Sequence, residues 1–211
     1  MNCAWCHERF TASRRDARFC SRRCRQTAFR LRHRGARDAA TGPAATPLRV
    51  AYADPPYPGC AARFYRHEAT YAGEVDHAAL IARLTAGEFA GWALSTSARA
   101  LRDVLPLCPP GARVCSWVKP IGASPATYGP HNCWEPVIVV PARHMRPGVR
   151  DWLAAQPARG GGTLPGRKPI AFCSWLFALL GLRPGDELVD LFPGTGIVTR
   201  SWRELSIDGR P

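Results

Sequence analysis

The segment Asp54-Pro55-Pro56-Tyr57 follows a short apolar run, residues 48–53, which is typical of a buried strand. It combines a carboxylate, two residues that have no backbone N–H group and an aromatic ring. In open α/β sheets, ligands bind beyond the carboxyl ends of the strands. The segment is therefore a candidate binding site. The alternative interpretation is a turn that the prolines stiffen after a strand.

A second candidate site follows another apolar run, residues 187–191. Asp190 lies near the end of this run, Phe192 follows it, and Gly194 and Gly196 lead into a predicted helix. Glycines let the main chain approach a ligand closely and adopt backbone angles that a side chain forbids. A glycine turn between a strand and a helix is also common without a ligand, so it is a weak signal when taken alone.

Four cysteines near the N-terminus have the spacing of a metal site, C-x2-C-x13-C-x3-C. They are Cys3, Cys6, Cys20 and Cys24. Two close pairs separated by a loop supply the four thiolates of a tetrahedral site, and zinc is the expected ion. Ser21 is predicted to cap a helix over residues 22–34, which places Cys20 and Cys24 one turn apart. The alternative, disulfides or unrelated free thiols, is disfavoured because a cytoplasmic location keeps thiols reduced.

The positive charge is concentrated near the N-terminus. The 211-residue chain has a net charge of +13, and residues 1–38 contain eleven arginines against three acidic residues. A dense cationic segment favours a polyanion, because neutralising phosphates releases condensed counterions. The alternative is an arginine-rich composition from a GC-rich genome, which would also account for the presence of only two lysines, Lys119 and Lys168.

No apolar run in the sequence reaches the length of about 20 residues that a bilayer-spanning helix needs. The first residues also lack the charged start and apolar core of a signal peptide. A cytoplasmic protein with no membrane partner is therefore expected.

The candidate sites require elements that position them, and from residue 48 onward short apolar runs alternate with helical patterns. This alternation predicts an α/β fold with an open sheet covered on both faces. The predicted strands are 48–53, 90–95, 112–118, 134–140 and 187–191. The predicted helices are 75–85, 97–106, 169–181 and 196–204. The predicted domains are a zinc-binding module at 1–34, a linker at 35–47 and the larger domain at 48–211.

Three motifs occur in an order that is found in one enzyme family. Asp54–Tyr57 (DPPY) comes first, Lys168–Pro169 (KP) opens a predicted helix, and Phe192–Gly196 (F-x-G-x-G) follows the last predicted strand. In this order they resemble the permuted group of amino-methyltransferases, which transfer a methyl group from S-adenosylmethionine to an exocyclic base nitrogen. The resemblance covers about residues 48–205 and implies a Rossmann-like methyltransferase sheet. Residues 3–32 resemble treble-clef zinc modules.

The resemblance implies a role for each motif. Asp54 and the carbonyl group of Pro55 would accept the two hydrogens of the amino group, which frees its lone pair to attack the methyl group in line. Pro56 would fix the backbone, and Tyr57 would stack on the base. The cofactor-binding residues that it implies are Lys168, Pro169, Asp190, Phe192, Gly194 and Gly196. Asp in the first position of DPPY is typical of adenine-N6 enzymes, and a base inside duplex DNA must be flipped out to react.

Two other functions stay open on the sequence. One is a non-catalytic, zinc-dependent nucleic-acid-binding protein on a degenerate methyltransferase fold. The other is a methyltransferase that acts on RNA adenosine or on cytosine N4. Relatives continue past the glycine turn to a strand whose acidic residue binds the cofactor ribose, whereas only residues 197–211 follow here. A short, incomplete sheet is therefore expected.

Overall fold

The structure is a computed structural model, which describes residues 1, 3–5, 9–11, 14, 16–26, 28–29, 46–59, 73–120, 131–144, 148–158 and 167–207. The chain divides into two compact units. One is Pro47–Trp202, and the other consists of Met1–Thr46 with Arg203–Pro211. Within the described ranges, no helix has the length and apolar character that a membrane span requires.

The larger unit is built on a six-stranded sheet. Its strands are β1 (Arg49–Ala53), β2 (Gly91–Ser95), β3 (Arg113–Val118), β4 (Trp134–Val140), β5 (Trp152–Ala154) and β6 (Glu187–Asp190). Their spatial order is β5-β3-β4-β2-β1-β6. β1 is parallel to β2 and β6, β3 is parallel to β5, and β4 is antiparallel to both β2 and β3. The carboxyl ends of β1, β2, β3 and β6 therefore lie at the same end of the sheet as the beginning of β4.

Four α-helices of the described residues connect or follow these strands. They are α1 (His77–Thr85), α2 (Leu101–Val104), α3 (Ile170–Leu180) and α4 (Ile197–Ile207), and a 3-10 turn, Leu105–Leu107, continues α2. The Asp76 carboxylate caps α1 by accepting from the amide of Ala79 at 3.0 Å. α3 ends at Gly181, whose φ of 69° is the left-handed conformation that glycine adopts at helix ends.

α3 brings an aromatic layer against the sheet. Its Phe172 ring lies 6.1 Å from the ring of Tyr52 in β1 and 5.1 Å from the ring of Trp117 in β3, between centroids. Phe172 and Trp117 are fully buried, and Tyr52 is almost so. Tilted aromatic pairs at this spacing add to the stabilisation that burial itself provides. This layer supports the residues at the carboxyl end of the sheet.

A buried ion pair joins the segment after β4 to the residue before β6, at the end of the sheet opposite to the carboxyl end of β1. The Arg143 guanidinium donates to both carboxylate oxygens of Asp186, at 2.5 and 2.9 Å. Asp186 also accepts from the amides of Leu48 and Arg183, at 2.9 and 2.8 Å. Burial opposes ionisation, but Arg143 and the two amides lower the pKa of Asp186 overall.

The predicted α/β fold class is confirmed, and each predicted strand and helix of the larger domain has a counterpart in the structure. Helix 97–106 is shorter than predicted, since α2 begins at Leu101 and passes into the 3-10 turn. The prediction missed β5, which has only three residues and shows no alternation of apolar and polar residues. Most of the predicted linker, and residues 30–34 of the predicted first helix, lie outside the described residues.

Candidate active site

The DPPY segment and the glycine turn begin at neighbouring positions on the sheet. Tyr52 in β1 pairs with Asp190 in β6, and the amide of Leu191 donates to the carbonyl oxygen of Tyr52 at 2.9 Å. Adjacent strands lie about 4.8 Å apart. Asp54, the first residue after β1, therefore lies next to the point where the chain passes from β6 into the glycine turn.

Lys168 lies on the Asp54 side of the site. Its Nζ atom is 3.1 Å from Oδ2 of Asp54 and 3.3 Å from Oε2 of Glu135. The lysine side chain is only 6% exposed, whereas that of Asp54 is 27% exposed. Burial favours loss of the ammonium proton, but the two carboxylates outweigh it and raise the pKa of Lys168. The resemblance implies a cofactor role for Lys168 and Pro169; the structure places the Lys168 ammonium between two carboxylates, and Pro169 immediately before α3.

Glu135, at the beginning of β4, joins a second lysine to this group. Its Oε1 atom accepts from the Nζ atom of Lys119. The nearby Tyr57 hydroxyl also lowers the pKa of this carboxylate. Burial disfavours the carboxylate, but Lys168 and Lys119 outweigh this cost and lower the pKa of Glu135. Neither Glu135 nor Lys119 was predicted as a site residue. The signal in the sequence that could have indicated Lys119 is that each of the two lysines of the chain precedes a proline.

The ammonium groups also lie over aromatic rings. Nζ of Lys119 is 4.7 Å from the centroid of the Trp117 ring, and Nζ of Lys168 is 4.9 Å from it. Lys168 is also 5.3 Å from the centroid of the Phe172 ring. Cations attract the negative faces of aromatic rings, most strongly where water is excluded. These contacts add a favourable cation–π interaction to each buried ammonium group.

Burial shifts the protonation equilibria of Asp54 and Tyr57. Burial raises the pKa of Asp54 more than Lys168 lowers it, so this carboxylate holds a proton more readily than an exposed one. Burial, with Asp54 and Glu135 nearby, raises the pKa of the Tyr57 hydroxyl well above its usual value. Tyr57 is therefore neutral at pH 7 and acts as a hydrogen-bond donor.

The other half of the site contains the buried Asp190 carboxyl. Oδ2 of Asp190 accepts from the Thr199 hydroxyl at 3.2 Å, whereas Oδ1 is buried and has no hydrogen-bond partner among the described residues. Burial raises the pKa of this carboxyl to about 6. Gly194 and Gly196 have φ values of 49° and 70°, and a Cβ atom added to either would meet no atom within 4 Å.

This half of the site fits the amino-acid end of S-adenosylmethionine. The cofactor carries an ammonium group, which needs a buried acceptor such as Oδ1 of Asp190. The glycine turn leaves open space beside its main chain, so a ligand can approach the backbone closely. Phe192 lies between Asp190 and the turn and is half-buried.

Three of the four N-terminal cysteines come together. The Sγ atoms of Cys3, Cys20 and Cys24 all lie within 4.8 Å of one another, and those of Cys20 and Cys24 are 3.4 Å apart. Sulfurs around a tetrahedral zinc lie about 3.8 Å apart, because each Zn–S bond is about 2.3 Å long. The Ser21 hydroxyl accepts from the amide of Cys24 at 3.1 Å, as its predicted capping role requires. Cys6 lies outside the described residues.

Comparisons with known proteins bear on the fold. No family model matches the chain, and no curated protein matches it. Among solved structures, the chain resembles the complex of M1.HpyAVI with SAM, with a TM-score of 0.50, 14% sequence identity and 85% of each chain covered. A second M1.HpyAVI structure has a TM-score of 0.47 at 14% identity and covers 85% of this chain and 84% of that one. At this identity the likeness shows the fold alone. The chain has a Rossmann-like methyltransferase fold.

Proposed function

We propose that the chain transfers a methyl group from S-adenosylmethionine to N6 of adenine in DNA. The observation that carries this proposal is the pairing of Tyr52 with Asp190. It puts an acceptor-rich segment and an open glycine turn at the ends of adjacent parallel strands. A base held at Asp54 then lies beside a methyl donor held at the turn, which is the proximity that an in-line transfer needs.

The residues of the DPPY segment prepare the amino group for attack. Lys168 occupies Oδ2 of Asp54, so Oδ1 is the oxygen that accepts one N–H of the base, and the carbonyl oxygen of Pro55 accepts the other. These two hydrogen bonds draw the nitrogen toward tetrahedral geometry and free its lone pair. When bound, S-adenosylmethionine supplies an electrophilic methyl group on sulfur. The proton that the methylated nitrogen must lose passes to the Asp54 carboxylate, whose pKa is raised by burial.

We also propose that Cys3, Cys6, Cys20 and Cys24 bind one zinc ion and that the basic N-terminal segment contacts DNA. Three of the thiols already lie at distances that suit one ion. The amides of Trp5 and Cys20 lie 3.5 and 3.3 Å from the Cys3 sulfur, which suits a thiolate. Eleven arginines in residues 1–38 supply the charge that phosphates would neutralise.

A nucleoside analysis tests the enzymatic proposal. Purified protein is incubated with labelled S-adenosylmethionine and with genomic DNA or RNA, and the digested nucleosides are separated. We expect label in N6-methyladenine from DNA. Asp54→Ala should abolish the label without loss of DNA binding, and Asp103→Ala, on the exposed side of α2, is the matched control. Label found only in cytosine, or only in RNA, would change the proposed substrate accordingly. DNA binding without cofactor binding would identify a non-catalytic protein.

A metal analysis tests the zinc proposal. We expect one zinc per chain in purified protein, and loss of that zinc in Cys24→Ser. Chelation should weaken DNA association more than it weakens binding of S-adenosylmethionine. An unchanged salt dependence of DNA affinity after the metal is removed would refute the role of the N-terminal unit in DNA binding.

A further inference from the structure

We propose that Glu135 is a positioning residue for methyl transfer, because it holds the Tyr57 ring and, through Lys168, the Asp54 carboxylate in one arrangement. This inference rests on the proposed function. It adds to that function a residue that contacts neither the base nor the cofactor in the mechanism above.

The first argument is the set of donors on this carboxylate. The Lys119 ammonium donates to Oε1 of Glu135, and the Lys168 ammonium donates to Oε2 at 3.3 Å. The nearby Tyr57 hydroxyl also lowers the pKa of this carboxylate. The residue is 7% exposed, so water does not replace these partners. With one ammonium donor on each of its two oxygens, the carboxylate has a fixed orientation. Glu135 thus connects the proposed stacking residue and the ion-pair partner of the proposed acceptor.

The second argument is the rigidity of the backbone that carries Glu135. The residue pairs with Trp117 of β3, and just beyond this pair the amide of Lys119 donates to the carbonyl oxygen of Cys133 at 2.7 Å. On the other side of β4, the amide of Thr96 donates to the carbonyl oxygen of Pro136 at 3.1 Å. Neighbouring strands therefore hold the beginning of β4 from both sides. Functional groups are placed most accurately by such regular elements.

The third argument is charge balance. Asp54 and Glu135 carry two negative charges, and Lys119 and Lys168 carry two positive charges, so the buried group is neutral as a whole. Of the 29 Lys and Arg residues in the chain, only these two are lysines. An ammonium group is compact and fits between two carboxylates and over the Trp117 ring, whereas the planar guanidinium of arginine has a different donor geometry. The arrangement therefore depends on lysine, rather than arginine, at positions 119 and 168.

Two charge-neutral double variants separate positioning from simple stabilisation. Glu135→Leu with Lys119→Met removes one negative and one positive charge together with every acceptor oxygen at position 135. Glu135→Gln with Lys119→Met is equally neutral but keeps one acceptor oxygen. Replacing a buried ion pair with apolar side chains of similar size often leaves stability unchanged or improved. Both variants should therefore unfold within a few degrees of the wild type, and differences in activity then report on geometry.

We expect the Leu variant to lose about a hundredfold in kcat, since a displacement of about 1 Å at a reacting group costs this much. KM for S-adenosylmethionine should stay unchanged, because Glu135 lies on the other side of the site from Asp190. The Gln variant should recover a large part of kcat. Equal, wild-type kcat in both variants would overturn the proposal and leave Glu135 a purely structural residue.

Tyr57→Phe provides a test that does not change any buried charge. It keeps the stacking ring and removes only the hydroxyl, which in this proposal donates to Glu135. We expect kcat to fall roughly tenfold, as for the loss of a hydrogen bond to a charged group. An unchanged kcat in this variant would also overturn the proposal. If wild-type protein transfers no methyl group to any nucleic acid, the proposed function fails instead, so the two failures are distinguishable.

Discussion

The buried Asp190 carboxyl predicts a pH dependence of the affinity for S-adenosylmethionine. The carboxyl has a pKa of about 6 in the free protein, because burial disfavours its charge. Only the ionised form can accept from the cofactor ammonium group through both oxygens. The association constant for S-adenosylmethionine should therefore follow the ionised fraction of Asp190.

For a pKa of about 6, the ionised fraction is about one tenth at pH 5 and about nine tenths at pH 7. The association constant should rise about tenfold over this interval, which corresponds to about 1.4 kcal/mol, and should then level off. Asp190→Asn keeps the size of the side chain and the contact with Thr199 but has no charge to titrate. We expect it to bind the cofactor about 10- to 100-fold more weakly at pH 7, since a charge-assisted hydrogen bond is lost. Its affinity should be nearly flat between pH 5 and pH 7.

The same carboxyl has the opposite effect on the stability of the free protein. Its pKa in the folded chain is about 6, above the ordinary value of 3.8, so the folded state holds this proton more tightly than the unfolded state does. Its contribution to the free energy of unfolding is present at low pH and is lost as pH rises from about 4 to about 6. Without cofactor at pH 7, Asp190→Asn should therefore melt at a temperature no lower than that of the wild type.

Titration calorimetry at five pH values, together with thermal melts, measures both effects. The matched control is Asp103→Asn, which removes an exposed carboxylate on α2 and should reproduce the wild-type affinity at every pH. An affinity of wild-type protein that does not change between pH 5 and pH 7 would refute the assignment of Asp190 to the cofactor. So would a pH slope in Asp190→Asn equal to that of the wild type.

Three further predictions concern the fold and the buried charges. Gly91→Ala should destabilise the chain by about 1–3 kcal/mol or more in urea titrations, because a Cβ atom there would collide with the backbone of Ala142; wild-type stability would contradict the close approach. Asp186→Ala should cost about 3–5 kcal/mol, because it removes the carboxylate that pairs with the buried Arg143 guanidinium. The wild type should lose stability as pH falls through the lowered pKa of Asp186, and Asp186→Ala should lack this loss. Amine-reactive reagents should modify the N-terminus of the native protein and reach Lys119 and Lys168 only after denaturation, as measured by peptide mass spectrometry; rapid labelling of either lysine in the native state would contradict their burial.

Much of the fold follows from local patterns in the sequence. β1, β2 and β4 consist mostly of apolar residues and are buried along nearly their whole length, so their sequences predict buried strands directly. The apolar character of α3 similarly predicts a buried helix. β5 could not be predicted, because a three-residue strand depends on its pairing with β3 and has little pattern of its own.

The candidate site was only partly predictable, for a different reason. The DPPY segment and the glycine turn are short motifs in which neighbouring residues act together, so the sequence indicates them without knowledge of the fold. Glu135 interacts with residues that are distant in the sequence, and its role depends on the antiparallel pairing of β3 with β4. An isolated glutamate next to a tryptophan carries no such signal. The contacts of Lys168 with both Asp54 and Glu135 also depend on tertiary structure.

The position of β6 at the edge of the described sheet bears on how the proposed cofactor and nucleobase would enter and leave the site. Within the described part of the sheet, β6 has a neighbour only in β1, whereas β1 itself is bordered by both β2 and β6. A terminal strand held by one row of hydrogen bonds opens locally more often than an interior strand. The half of the site that is proposed to hold the methyl donor can therefore loosen to exchange product for fresh cofactor, while the half that is proposed to hold the nucleobase keeps its shape. Amide hydrogen exchange should be faster in β6 than in β1, and cofactor should slow it mainly in β6.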